Sequence, residues 1–174
     1  MSSPIQRSDF LRGALHAKAK RFRPPWAIAE PAFTAACTRC GDCLKGCPES
    51  ILAPGRGGFP EIDFRKGACS FCGDCVGACK PGALKREDAD DPWRLGPWRP
   101  AARVSGESCL SMKGVTCRVC GDRCEARAIT FTLAVGGRVS PSVASSECTG
   151  CGACVAPCPT EAIEMFHWNP GEHA

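Results

Sequence analysis

Sixteen cysteines carry the chemistry that this sequence suggests, and all 16 fall into four groups of four. The first group has the spacing C-x2-C-x2-C-x3-C, over Cys37, Cys40, Cys43 and Cys47, and Pro48 follows it. A [4Fe–4S] cluster requires four thiolates, and this spacing is typical of iron–sulfur ligation in bacterial proteins. The sequence therefore predicts four [4Fe–4S] clusters as cofactors, with no cysteine left over.

Two of the other groups keep this spacing and one departs from it. The second group is Cys69, Cys72, Cys75 and Cys79, and the fourth is Cys148, Cys151, Cys154 and Cys158. The third group has seven residues between its first two cysteines, and its members are Cys109, Cys117, Cys120 and Cys124.

The third group can be aligned with the others in two ways. Gly121 and an aspartate follow Cys120, as glycine and aspartate follow Cys40, which would make Cys120 a second ligand. In the second and fourth groups, however, an aliphatic residue lies five positions after the last cysteine. Ile129 lies five positions after Cys124. This register favours Cys124 as the fourth ligand and Cys120 as the third.

Thiolates three residues apart let one tight loop place three sulfurs around one cubane. In two-cluster runs of this kind the fourth cysteine ligates the other cluster. The expected ligand sets are Cys37, Cys40, Cys43 with Cys79; Cys69, Cys72, Cys75 with Cys47; Cys109, Cys117, Cys120 with Cys158; and Cys148, Cys151, Cys154 with Cys124. Gly41, Gly73 and Gly152 suit such loops, because glycine accepts a positive φ and close backbone approach.

Structural zinc and a disulfide framework are the two alternative uses of these cysteines. Zinc sites typically pair C-x2-C knuckles that lie well apart, which differs from triplets with a fourth cysteine close behind. Disulfides require an oxidising compartment, and no cleavable secretory signal is visible in the sequence. The spacing therefore favours iron–sulfur clusters over both.

Charge and composition narrow the class of protein further. The formal net charge is +4, and four oxidised clusters with their thiolates would add about −8. The resulting negative balance argues against a nucleic-acid-binding protein, which needs a basic stripe. No apolar run approaches the roughly 18 residues of a membrane span. The chain has 19 Gly and 15 Pro, so we expect a turn-rich fold that unfolds without its iron.

Residues 1–36 contain no cysteine and form a basic N-terminal segment. Ser8 can cap a helix whose apolar residues share one face, and Pro24 ends it. Residues 5–23 are then either a docking segment for a partner or a solvated tail, and the sequence does not decide between them. Arg7 and Ser8 resemble part of a twin-arginine export signal, but no apolar region follows. We therefore expect no export and a cytoplasmic protein.

The rest of the chain reads as a tandem repeat. Short strands are expected at Ile51-Leu52 and Ile62-Asp63-Phe64, around a glycine-rich turn, and residues 125–147 repeat this layout. The fold class is α+β, with two tandem ferredoxin-like modules of the two-[4Fe–4S] type. The predicted domains are the N-terminal segment 1–36, a first module 37–84, a linker 85–108 containing Trp93 and Trp98, and a second module 109–174. No catalytic triad or phosphate-binding motif is visible, so we expect no enzyme activity.

Beyond the cysteines, flanking motifs resemble those of one family. They are Phe22-Arg23-Pro24-Pro25-Trp26 ahead of Cys37-Thr38-Arg39-Cys40; Gly57-Gly58-Phe59-Pro60 ahead of Cys69-Ser70-Phe71-Cys72; and Cys124-Glu125-Ala126-Arg127-Ala128-Ile129-Thr130-Phe131. Together with the four groups in this order, including the irregular third, the chain resembles the NapF family of ferredoxin-type proteins of the periplasmic nitrate reductase system.

The resemblance implies a function that the spacing alone does not. It implies a cytoplasmic accessory protein with four labile [4Fe–4S] clusters. It further implies that this protein binds the precursor of the molybdenum catalytic subunit of periplasmic nitrate reductase and assists its maturation before export. The alternative is an electron-transfer polyferredoxin that feeds an anaerobic oxidoreductase. The chemistry of the cysteines fits both equally well.

Overall fold

This computed structural model describes residues 22–86, 100–134, 136 and 138–168. The predicted N-terminal helix, the tryptophans of the predicted linker and most of the possible docking segment lie outside the described residues. Short helices and two-stranded sheets joined by long loops make up the described part. This agrees with the small, loop-rich α+β fold expected from the glycine and proline content.

The first module contains three short helices and one hairpin. The helices are α1 (Glu30–Ala36), α2 (Asp42–Lys45) and α3 (Asp74–Gly77). Strands β1 (Leu52–Pro54) and β2 (Pro60–Ile62) pair antiparallel around a 3-10 turn, Arg56–Gly58. Both strands lie closer to the turn than the sequence predicts, since the expected strands were Ile51-Leu52 and Ile62-Asp63-Phe64. Ile51 and Phe64 instead lie just outside the hairpin, as buried residues in the core of the first module.

The second module repeats this plan with longer strands. Strands β4 (Ile129–Leu133) and β5 (Val139–Val143) form its hairpin. Strand β3 (Pro100–Val104) pairs antiparallel with β6 (Ile163–His167), and helix α4 (Val119–Asp122) and a 3-10 turn (Ser111–Lys113) lie between. In the first module a single bridge between Ala27 and Leu84 stands where the second module has the β3–β6 pair.

Residues ahead of each predicted module pack onto that module. Strand β3 lies within the predicted linker 85–108, yet it is fully paired and its Ala101 and Ala102 are buried. Phe22 and Trp26 lie within the predicted N-terminal segment, yet both belong to the core of the first module. The reason is physical: the strand that follows each last cysteine needs a partner, and the chain ahead of each module supplies it.

The two modules pack against each other through apolar side chains, a ring contact and a backbone hydrogen bond. Val155 and Met165 of the second module contact the apolar clusters of both modules. The Phe22 ring lies 4.6 Å from that of His167, between ring centroids. The backbone N–H of Cys69 donates a hydrogen bond to the carbonyl oxygen of Cys151, at 2.8 Å. Within the described part of the chain, no helix has the length and apolar character to cross a membrane.

Candidate iron–sulfur sites

Four cavities each bring together four of the cysteines. The first is lined by Cys37, Cys40, Cys43 and Cys79, the second by Cys47, Cys69, Cys72 and Cys75, the third by Cys109, Cys117, Cys120 and Cys158, and the fourth by Cys124, Cys148, Cys151 and Cys154. We call these cavities sites 1 to 4. Each contains three cysteines from one group and one from its neighbour, which is the crosswise grouping predicted from the spacing.

The sites fit a cluster by their sets of donor atoms. Each is a space partly open to solvent and lined by four cysteines. Among the described residues, no three His, Cys, Asp or Glu side chains converge as a single metal ion would require. The donor set of four sulfurs around such a space fits a [4Fe–4S] cubane.

In each of the first three groups, a four-residue helix carries the third cysteine. Cys43, Cys75 and Cys120 are each the second residue of their helix, α2, α3 and α4 respectively. Cys43 and Cys75 are buried, so the helices turn these sulfurs towards the interior. Cys120 thus occupies the place of a third cysteine in its group, in agreement with the register set by the downstream aliphatic residues.

The glycine after the second cysteine of a regular group has a positive φ. The angle is 79° at Gly41, 86° at Gly73 and 80° at Gly152, which confirms the expectation for these three loops. In the irregular group Arg118 follows Cys117 with a φ of −133°, so the longer loop takes a different route. Gly121 lies within α4, and a Cβ there would overlap the Phe131 ring, so close packing explains this glycine.

A second turn follows the last cysteine of every group, and sequence reasoning missed it. The residue three positions after that cysteine has a positive φ and donates its N–H to the cysteine carbonyl, over 3.0 to 3.3 Å. These residues are Ser50, Gly82, Arg127 and Glu161. Only one of the four is glycine, so residue type does not predict this turn. The feature they share in the sequence is their position, three residues after the last cysteine of a group.

Comparison with known proteins adds to this geometry. The 4Fe-4S dicluster domain matches the chain twice, over residues 36–83 and 113–162. The ferredoxin-type protein NapF of Haemophilus influenzae is 49% identical over 143 residues, which cover 82% of this chain and 77% of that protein. NapF of Escherichia coli K12 is 37% identical over 169 residues, 96% of this chain and 99% of that protein.

The chain belongs to the NapF family of ferredoxin-type proteins. A further relative is the methylamine utilization ferredoxin-type protein MauM of Methylorubrum extorquens, 39% identical over 162 residues, 86% of this chain and 73% of that protein. With two dicluster domains and 16 cysteines, this NapF-family chain has four [4Fe–4S] clusters as its cofactors. The ferredoxin-type names indicate an electron carrier.

Burial makes four thiols of this NapF-family chain poor acids on their own. It raises the pKa of Cys43 and Cys69 to about 11, and the pKa of Cys75 and Cys154 to about 12. Neighbouring cysteines raise these pKa values further, because each thiolate disfavours the next. Positive charge from iron is what makes thiolates stable at such sites. Because the thiolate is the reactive form of cysteine, these four thiols are better suited to metal ligation than to thiol chemistry.

Backbone amides donate to two of the cysteine sulfurs, and two other cysteines are exposed to solvent. Leu84 donates its N–H to Cys79 Sγ at 3.4 Å, and Ala162 donates its N–H to Cys158 Sγ at 3.2 Å. Such hydrogen bonds to ligand sulfurs stabilise the more negative state of a cluster and tune its reduction potential. Cys40 and Cys72 are exposed, so sites 1 and 2 reach the surface where a partner can approach.

Proposed function

We propose that this NapF-family protein is a cytoplasmic accessory protein that binds the precursor of the molybdenum catalytic subunit of periplasmic nitrate reductase and assists its maturation before export. The observation that carries the proposal is that four sites with full sets of cysteines lie in a small chain, while Cys40 and Cys72 open two of them to the surface. The near full-length match to the NapF relatives supports it.

The residues have distinct roles in this proposal. The cysteines lining sites 1 to 4 are the proposed ligands, each set holding one cluster, and the bound clusters supply one-electron exchange. The amides of Leu84 and Ala162 stabilise ligand sulfurs of sites 1 and 3. Phe33 is fully buried and Trp26 nearly so, and these rings exclude water from the first module.

Residues 5–23 are the proposed docking segment, and its last two residues are already engaged in the fold. Phe22 is buried, and Arg23 pairs with Glu30 and Glu61. A truncation to residue 23 would therefore damage the first module as well as remove the basic segment. A test of docking must end at Arg21, so that both of these residues remain.

The experiment is an anaerobic pull-down of the full-length protein from cytoplasm, compared with a variant lacking residues 1–21. Iron and sulfide are counted on the same samples. We expect the nitrate reductase precursor as the main partner of the full-length chain, and loss of that partner from the truncated variant with its iron intact. Equal recovery by the truncated variant would overturn the docking role, and absence of the precursor from both would overturn the maturation proposal.

A second candidate is an electron-transfer polyferredoxin that feeds an oxidoreductase. The contact that favours it is the hydrogen bond from Cys69 to Cys151, which brings sites 2 and 4 together across the modules. The similarity to MauM, a relative named for methylamine utilization, also favours a role in electron transfer outside nitrate reduction. Binding of a partner only during turnover, and not to an unexported precursor, would select this candidate.

A further inference from the structure

The contact between the modules is made by the loops that line sites 2 and 4. Cys69 and Cys151 are each predicted ligands, and the backbone N–H of one donates to the carbonyl of the other at 2.8 Å. The hydrogen bond therefore joins a residue of site 2 directly to a residue of site 4.

A second contact lies beside the first. Phe64, in the first module, places its ring against Gly152, which follows Cys151 directly. A Cβ on Gly152 would overlap this ring, so a side chain larger than hydrogen has no room there. Phe64 is itself buried and packs edge-on against Phe22, with ring centroids 5.5 Å apart. The ring thus has little space into which it could retreat.

Apolar side chains also pack between the two modules. Val155 and Met165, both from the second module, pack against the cores of both modules. Sites 1 and 2 share the first module, since each takes its fourth cysteine from the other's group. Sites 3 and 4 share the second module in the same way. The contact between sites 2 and 4 therefore completes a row in the order 1, 2, 4, 3.

We propose that the loops of sites 2 and 4 form one inter-module seam, made by Cys69, Cys151, Gly152 and Phe64, in which each loop positions the cysteines of the other site. The four sites then stand in a single row, with sites 2 and 4 at its centre and sites 1 and 3 at its ends. This order differs from the order along the chain. The inference rests on the proposed ligand sets, and Gly152 and Phe64 act in it as positioning residues.

The chain offers a matched pair of glycines for the test. Gly41 and Gly152 each follow the second cysteine of a regular group, and their φ values are 79° and 80°. A Cβ on Gly41 would meet nothing within 4 Å, whereas a Cβ on Gly152 would overlap Phe64. Gly41→Ala and Gly152→Ala therefore place alanine at nearly the same positive φ, and only Gly152→Ala forces the seam apart.

The experiment maps thiol accessibility in the intact, iron-loaded protein. Wild type and both variants are purified without oxygen, their iron and sulfide are counted, and they are exposed briefly to iodoacetamide. Alkylated peptides are then identified by mass spectrometry. In Gly152→Ala we expect several-fold more alkylation of Cys69, Cys72 and Cys75 than in Gly41→Ala, with Cys109 and Cys117 at the wild-type level. Alkylation confined to the group of Gly152 would overturn the proposal.

Two further variants keep the result interpretable if Gly152→Ala fails to fold. Phe64→Ala with Gly152→Ala removes the clash, and we expect it to restore folding and the iron content that Gly152→Ala alone loses. Phe64→Ala by itself adds no backbone strain, and we expect it to expose Cys148 and Cys154 across the seam. Exposure restricted to the first module in that variant would also overturn the proposal. A wild type without iron would instead contradict the proposed ligand sets, which separates the two failures.

Discussion

The guanidinium of Arg23 donates two hydrogen bonds to the carboxylate of Glu30, one of 3.0 Å from Nε and one of 2.7 Å from Nη2. The same guanidinium lies 5.0 Å from the centre of the Phe33 ring and 5.3 Å from that of Phe59. Hydrogen bonding to Glu30 raises the pKa of Arg23 above its ordinary value. Arg23 therefore ties the chain ahead of the first module to helix α1 and to the hairpin.

Replacing Arg23 should destabilise the first module. We expect Arg23→Ala to cost about 1–3 kcal/mol, because it removes charge-assisted hydrogen bonds and the cover over two aromatic rings. Arg23→Lys should recover only part of this, since an ammonium cannot make the two parallel bonds. Thermal melting of the iron-loaded protein, followed by its visible absorbance, measures the change.

Arg65 provides the control for this prediction. It pairs with Asp63 at 2.9 Å, but its side chain is 80% exposed. Exposed ion pairs contribute little to stability, so Arg65→Ala should melt close to wild type. Equal losses from the Arg23 and Arg65 variants would contradict the role assigned to Arg23.

Two helical glycines should respond differently to alanine. Gly121 lies against the Phe131 ring, which a Cβ would overlap, whereas Gly77 has nothing within 4 Å of its Cβ position. We expect Gly121→Ala to lower the iron content by about one cluster, because it displaces helix α4 with Cys120. Gly77→Ala should keep full iron and melt at the same or a slightly higher temperature, because alanine favours a helix. Iron analysis and melting of both variants test this, and full iron in Gly121→Ala would refute it.

The crosswise grouping predicts which thiols become reactive when a fourth cysteine is lost. Cys79 lies with Cys37, Cys40 and Cys43 in site 1. Cys79→Ser should therefore expose the thiols of site 1 and spare Cys69, which belongs to the same group of the sequence as Cys79. Iodoacetamide labelling and peptide mass spectrometry read this directly. Cys47→Ser is the reciprocal variant, and it should expose the thiols of site 2 first.

Removal of iron should unfold the protein. Cysteines belong to both cores, and among the described residues the apolar cluster of the second module has only four buried members, one of them Cys154. Without iron, Cys154 and the other ligands lose the metal bonds that join their loops. We expect chelation to abolish most of the native circular dichroism and reconstitution to restore it. A native spectrum in the iron-free protein would show that the clusters do not hold the fold.

The spacing of the cysteines carries information about the loops around them and little about the strands between them. Cysteines three residues apart form tight loops, so the positive φ at Gly41 and Gly73 could be expected from local geometry. The grouping of Cys43 with Cys79 was expected instead from the ligand pattern of two-cluster proteins, in which the fourth cysteine binds the other cluster. The strand Pro100–Val104 could not be expected in either way, because its partner Ile163–His167 lies about sixty residues away in the sequence and pairing at that distance leaves no periodic signal. Tertiary contacts decide such elements.

The inter-module seam was equally invisible in the sequence. Gly152 was expected to be a turn glycine, and its φ of 80° agrees. Its second role, leaving room for Phe64, depends on a residue from the other module. Composition assigns Phe22 and Arg23 to a basic N-terminal segment, because charge dominates there. In the structure the Phe22 ring packs into the core of the first module, and the Arg23 guanidinium bonds to Glu30 and lies over the Phe33 ring. Local composition does not report such long-range packing.

The most direct test of the account is a count of iron, acid-labile sulfide and zinc per chain in the anaerobically purified wild-type protein. Four [4Fe–4S] clusters predict about 16 iron and about 16 sulfide per chain, with no zinc. About four zinc with no sulfide would contradict the central claim, because the 16 cysteines would then form mononuclear sites.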